Sequence, residues 1–118
     1  PEKETIAIED TGILLGPDKD WDATEAFIKS LVAGNKTSCY SFLKDAYLRH
    51  NVSFESIGNN VVKKLTSKGI MLLAGGDPAG EKYLAMARAF NTTLSNSLYQ
   101  DRFSALGLAT SAALNELG

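Results

Sequence analysis

Residues 53–98 read SFESIGNNVVKKLTSKGIMLLAGGDPAGEKYLAMARAFNTTLSNSL, and this stretch decides the fold. Ser53 is a residue type that caps helix N-termini. Apolar residues then recur at helical spacing, at Ile57, Val61, Leu65 and Leu72. Gly75-Gly76 predicts that the helix ends there with a glycine in the left-handed backbone conformation. Asp77-Pro78 predicts the cap and first turn of a second helix. The sequence therefore predicts two long helices that form an antiparallel hairpin.

Further helices are predicted around this hairpin. Asp18 or Asp20 is expected to cap a first helix that ends near Ala33, and Asp101 is expected to cap a last, shorter helix. The predicted helices span about 19–33, 36–50, 54–73, 78–99 and 101–117. Because the connections are short, neighbouring helices should be antiparallel. We therefore expect one all-α domain: an irregular acidic N-terminal segment over 1–18, an up-down-up-down four-helix bundle over 19–99, and an additional C-terminal helix over 101–117.

Length and composition predict a single soluble domain. The chain has 118 residues, of which 44% are hydrophobic, and its longest apolar run is Ile70–Ala74. That run is far shorter than the roughly 20 residues of a membrane-spanning helix. Because the sequence begins with Pro1, we expect a processed product or an excised piece. Cys39 is the only cysteine, so no disulfide can form within this chain, and we expect a core thiol.

Charge is distributed unevenly along the chain. Residues 1–22 carry seven acidic against two basic residues, a balance of −5, and residues 23–118 carry ten basic against seven acidic residues, a balance of +3. A surplus of +3 argues against nucleic acid but suits docking on an acidic protein surface. The alternative is that the acidic leader folds back on the body or stays solvated. The glycine-bounded apolar stretch Thr11–Pro17 is expected to pack against the bundle.

The sequence has no pattern of catalytic or metal-binding residues. His50 is the only histidine, and it is expected to cap the end of the second helix. Metal-ligand spacings such as HxxxH and CxxC are missing, as is a nucleophile elbow. The glycine-rich stretch 74–82 does not read as a phosphate loop, because Pro78 removes a backbone amide and acidic residues add negative charge. We therefore expect no catalytic residue, no cofactor, no metal and no enzyme activity.

Basic residues offer the best candidate for a docking surface. Lys63, Lys64 and Lys68 lie in the third predicted helix, and Lys64 and Lys68 are one turn apart. Lys44 and Arg49 are expected on a neighbouring face. These five side chains would attract an acidic protein partner. The alternative is that they form an ordinary solvated helix surface.

Part of the chain resembles a family of photosynthetic proteins. The residues that carry the resemblance are Tyr47-Leu48-Arg49, Ser53-Phe54-x-x-Ile57, Val61-Val62-x-x-Leu65 and Pro78-x-x-Glu81-Lys82. The pattern is similar to that of the small four-helix-bundle extrinsic subunits of photosystem II in the thylakoid lumen of a plastid. The resemblance implies a non-catalytic subunit that binds the lumenal face of the complex or shields its oxygen-evolving centre. We expect a monomer when free, held at the membrane only through protein partners.

A second resemblance implies a different function. Leu31-x-x-Gly34-Asn35, Val52-x-x-Glu55-x-Ile57 and Gly69-x-x-Leu72-x-Ala74-Gly75 are similar to the helical module beside the cobalamin domain of corrinoid methyltransferases and light sensors. The chain departs from that pattern, since Leu72 replaces an aromatic residue, Lys64 replaces a proline, and the DxHxxG motif for cobalt is missing. By this resemblance the chain would be a cofactor-capping or sensory module. Sequons at Asn35, Asn51 and Asn91 also leave a secretory route open.

Overall fold

A computed structural model of the chain describes residues 20–97 and 101–118. Within those ranges the chain forms five α-helices and no β-strand, as the sequence predicts. The helices are α1 Thr24–Val32, α2 Lys36–Lys44, α3 Phe54–Ala74, α4 Ala79–Asn96 and α5 Arg102–Asn115; α2 continues into a π-helical turn, Asp45–Arg49. The all-α prediction is confirmed, and the up-down-up-down order stays a prediction. The predicted leader 1–18, the packing of Thr11–Pro17 and the end of the fourth helix at Tyr99 lie outside the described residues.

Most helix starts are capped by the predicted residues. The Ser53 hydroxyl accepts a hydrogen bond from the Ser56 amide at 3.0 Å, and the Asp101 carboxylate accepts one from the Ser104 amide at 3.0 Å. The Asp77 carboxylate accepts from the Ala79 amide at 2.9 Å. Each bond satisfies an amide that the first helical turn leaves without a partner.

The start of α1 differs from the prediction. Its N-cap is Ala23, which makes no side-chain capping bond, so Asp20 does not cap this helix. The Thr24 hydroxyl instead donates to the Trp21 carbonyl at 2.6 Å and closes a turn before the helix. The buried Trp21 ring fixes this turn, and the helix therefore begins several residues later than predicted. Asp18, the other predicted cap, lies outside the described residues.

The turn between α3 and α4 follows the predicted glycine stop with one correction. Only Gly76 is left-handed, with φ +85°, whereas Gly75 has φ −85°. The Asp77 amide donates to the Leu72 carbonyl at 2.8 Å, and the Gly76 amide donates to the Leu73 carbonyl at 3.0 Å. This pair of bonds defines a Schellman motif, which satisfies two of the last carbonyls of α3.

Two glycines bring α3 and α4 together, and these helices share the largest interface among the described elements. A Cβ atom added to Gly69 would lie 2.8 Å from Leu84 Cγ and 2.9 Å from the Gly80 carbonyl oxygen. A Cβ atom added to Gly80 would collide with the Gly69 carbonyl and lie 2.9 Å from the Leu73 amide nitrogen. Gly69 therefore lets two backbones approach closely, although the sequence alone suggests only a weakened helix.

The hydrophobic core runs through all five helices. The largest fully buried side chains are Phe27, Ile28, Leu31, Leu43, Phe54, Ile57, Leu65, Met86, Phe90, Leu94 and Leu106. Trp21 closes one end of this core, with its ring centroid 5.3 Å from that of Phe27. Cys39 is buried in the core, and desolvation raises the pKa of its thiol to about 11. The burial of Cys39 confirms the predicted core thiol. With its pKa raised, this thiol stays protonated at neutral pH.

Candidate functional site

The five predicted docking residues lie on three elements and form two groups. Lys63, Lys64 and Lys68 are on α3, whereas Lys44 is at the end of α2 and Arg49 is at the end of the π-helical turn. Lys44 and Arg49 line one shallow cleft, together with Ser41, Phe42 and Asp45. The sequence therefore identified two small basic groups.

Two of the α3 lysines are bound to an acid on α1. The Glu25 carboxylate accepts hydrogen bonds from Lys64 Nζ at 3.1 Å and from Lys68 Nζ at 3.0 Å. The bonds from Lys68 and Lys64 hold the pKa of the Glu25 carboxyl below its ordinary value of 4.5. Because Glu25 neutralises part of the basic surface, the attraction that the surface exerts on an acidic partner is weaker than the sequence suggests.

This ion-pair group predicts an acid-sensitive contribution to stability. A carboxyl whose folded-state pKa is lowered stabilises the fold above its unfolded pKa, and the contribution is lost as pH falls through the folded pKa. Since the three side chains are partly exposed, we expect a loss of only about 0.5 kcal/mol. The free energies of unfolding in urea of the native chain and of Glu25→Gln should differ at neutral pH. They should converge below about pH 4. A constant difference across this range would contradict the assignment.

His50 has an acidic partner that the sequence did not predict. His50 Nε2 lies 3.3 Å from Asp45 Oδ2, and the His50 amide donates to the Asp45 carbonyl at 3.1 Å. α-Helical spacing would place residues five apart on different faces, but a π-helical turn brings them together. His50 is indeed the C-terminal cap of this turn, as predicted, and its side chain is exposed. The pair is partly exposed and lines an open cleft together with Trp21 and Val52.

An exposed apolar tip at the end of the α3–α4 hairpin is the feature that sequence reasoning missed. We define the tip by Ile70, Met71 and Leu73, whose exposed fractions are 56%, 72% and 37% over the described residues. Lys68 lies one helical turn before Met71, so the tip is continuous with the basic surface of α3. Contiguous exposed apolar side chains are typical of interaction surfaces.

The sequence of the last turn of α3 explains why the tip is exposed. Successive residues of an α-helix are 100° apart, so the five apolar residues 70–74 cannot all face one partner. α4 begins only at Ala79, and it covers the side of α3 on which Gly69 lies. The five consecutive apolar residues 70–74 are visible in the sequence. Because they point to all sides of a helix, their number alone indicates that some of them are exposed.

Neither a metal site nor a membrane span is found in the parts of the chain that the structure describes. Over residues 20–97 and 101–118, no group of three or more His, Cys, Asp or Glu side chains has a geometry that could hold a metal ion. None of the helices in these ranges combines the length and the apolar character needed to cross a bilayer.

Comparisons with known proteins give no relative for this chain. No protein-family model, no curated protein and no solved structure matches it.

Proposed function

We propose that this chain is a non-catalytic helical subunit that docks on a larger protein complex through the tip of its α3–α4 hairpin. The observation that carries the proposal is the exposure of two consecutive apolar side chains near the end of α3, Ile70 at 56% and Met71 at 72%. Burying a large aliphatic side chain contributes about 1.5–3 kcal/mol. Ile70 and Met71 can therefore anchor a contact, and the surfaces around the tip would supply the rest of the buried area that a specific interface needs.

The hairpin presents its tip on a well-defined scaffold. The close contact between Gly69 and Gly80 fixes the crossing of α3 and α4, and the Schellman motif fixes the end of α3. A surface that is already ordered loses little conformational entropy on binding. Met71 adds a side chain that adapts its shape to the partner. The tip therefore suits an apolar pocket or groove on a protein.

The predicted basic residues have a secondary role in this proposal. Lys63, Lys64 and Lys68 lie on the same helix as the tip, and they supply positive charge around it despite the partial neutralisation by Glu25. Such charges raise the rate of encounter with an acidic partner more than they raise affinity. Lys44 and Arg49 would extend this attraction from the other basic group.

The narrower form of the proposal names the partner. The resemblance of residues 41–98 to extrinsic subunits of photosystem II supports the lumenal face of that complex as the docking surface. The chain would then work in the thylakoid lumen as a monomer, bind protein and not nucleic acid, and support oxygen evolution or assembly of the complex.

A pair of matched variants tests the proposal. Met71→Glu introduces a charge into the tip, and Leu108→Glu introduces the same charge at an apolar residue of α5 that is 44% exposed. We expect Met71→Glu to weaken co-sedimentation with photosystem II membranes freed of their extrinsic subunits by at least about tenfold. Leu108→Glu should bind like the native chain. If the native chain does not bind, the choice of partner is wrong; if both variants weaken equally, the choice of the tip is wrong.

A further inference from the structure

We propose that, in the free protein, the tip pairs with the tip of a second copy of the same chain. The inference rests on the proposed function, because it supplies the regulation of that docking surface: the dimer has to open before the tip docks, and the docked form is the monomer. It departs from the monomer that the sequence predicts for the free protein. Two observations support it, the extent of the exposed surface and the distribution of charge around it.

The exposed surface continues from the tip around the end of the hairpin. Each of residues 73–79 is exposed, so the exposure of the tip continues through the turn to the start of α4. Apart from Asp77, these residues are glycine or apolar. Over residues 20–97 and 101–118, the other exposed large apolar side chains, Leu48 and Leu108, are single. The hairpin end is therefore the largest exposed apolar stretch of the described chain.

Charge follows a fixed order along this surface. Lys63, Lys64 and Lys68 precede the tip on α3, and Asp77 follows it. Glu25 neutralises one of the three lysine charges, so the basic side keeps a surplus of two. Asp77 is exposed, and the C-terminal end of the α3 dipole adds partial negative charge beside it. The hairpin end is therefore basic on one side of its apolar centre and acidic on the other.

This order is complementary to itself under a two-fold rotation. Lys64 precedes Met71 by seven residues, which is about two helical turns, so both lie on one face of α3. Asp77 follows Met71 by six residues. A two-fold axis at Met71, perpendicular to α3, makes the two α3 ends antiparallel. It places the basic side of each copy against the acidic side of the other, whereas parallel α3 ends would bring like charges together.

The contact would be small and reversible. Ile70 and Met71 of both copies become buried in it, so each copy covers the apolar centre of the other. Only the ends of two hairpins take part, and interfaces of that size are weak. We therefore expect a dimer whose fraction rises with protein concentration and falls with salt. A docking partner and the second copy would compete for the same side chains.

Sedimentation equilibrium of the full chain over a range of concentrations tests the inference. We expect a monomer–dimer equilibrium for the native chain. Met71→Glu should lower the association constant by at least about tenfold, because the change occurs on both sides of each contact. The matched control Leu108→Glu adds the same charge on α5 and should associate like the native chain. A native chain that stays monomeric at submillimolar concentration, or a dimer that persists in Met71→Glu, would overturn the inference.

An exchange of charges tests the two-fold arrangement. Lys63→Glu and Asp77→Lys each place like charges together at both ends of the contact, so each should lower the association constant several-fold at low salt. An equimolar mixture of the two variants restores opposite charges at both ends and should associate like the native chain. A mixture that stays as weak as its components would overturn the inference. Circular dichroism checks that both variants stay helical, since Asp77 also caps α4.

These measurements contain no photosystem membranes. They can therefore fail while the membrane-binding test succeeds, and they can succeed while that test fails. The first result would remove only the dimer, and the second would remove only the docking partner.

Discussion

Gly80→Ala is expected to lower the free energy of unfolding by about 2–3 kcal/mol, although alanine is the better helix former by about 1 kcal/mol. The added Cβ atom would collide with the Gly69 carbonyl and lie 2.7 Å from Leu73 Cγ. Two of the groups that would have to move belong to the backbone of α3, so the clash cannot be relieved by a side-chain rotation alone. Chemical denaturation with a two-state fit gives the free energy directly.

Gly107→Ala in α5 is the matched control for this prediction. A Cβ atom at Gly107 would approach Tyr40 Cε1 only to 4.0 Å, which is an ordinary contact distance. We therefore expect this variant to be more stable than the native chain by about 0.5–1 kcal/mol, through helix propensity alone. Equal stabilisation by both substitutions would show that α3 and α4 do not approach each other as the structure has them.

Phe27→Ala is expected to cost about 3–5 kcal/mol, the usual range for truncation of a fully buried aromatic residue. α1 has nine residues, and a helix of that length is unstable alone in water, so it depends on its packing. Phe27 contacts the ring of Trp21, the only tryptophan in the chain. Tryptophan fluorescence should therefore shift towards that of exposed indole at a lower denaturant concentration than in the native chain.

Glu25→Gln serves as the comparison for Phe27→Ala, because both residues hold α1 on the bundle. The partly exposed pairs with Lys64 and Lys68 contribute only about 0.5 kcal/mol, several times less than the buried ring. If Glu25→Gln cost as much as Phe27→Ala, electrostatic attraction and not apolar packing would hold α1 in place.

Much of the fold could be predicted because the signals at the helix ends are local. Ser53, Asp77 and Asp101 each bind an amide two or three residues ahead, so sequence spacing alone identifies them. The apolar residues Ile57, Val61 and Leu65 of α3 recur at helical spacing and lie in the core, whereas Leu72 is only half-buried. α1 was predicted less well because its start is fixed by burial of Trp21, which is a tertiary contact.

The contacts between distant residues could not be predicted from local patterns. Gly69 and Gly80 look like helix-weakening residues until the two helices are placed together. The bonds from Lys64 and Lys68 to Glu25 join elements far apart in the sequence. The His50–Asp45 pair depends on a π-helical turn, for which the sequence has no reliable signal.

The candidate site, like the fold, could be predicted only in part. The basic residues were predicted because charge is visible in any sequence, but their partial neutralisation by Glu25 was not. The apolar tip was missed because the run 70–74 was compared only with the length of a membrane-spanning helix. Only the structure shows that α4 covers one side of that run and leaves Ile70 and Met71 exposed.

Photo-cross-linking through methionine tests the central claim, docking through the tip, most directly. A photoreactive methionine analogue would enter only at residues 71 and 86, and the buried residue 86 cannot reach a partner. On photosystem II membranes freed of their extrinsic subunits, we expect a cross-linked product from the native chain. We expect none from Met71→Leu, which keeps an apolar tip and should still bind. A product that persists in Met71→Leu, or a native chain that binds without cross-linking, would contradict docking through the tip.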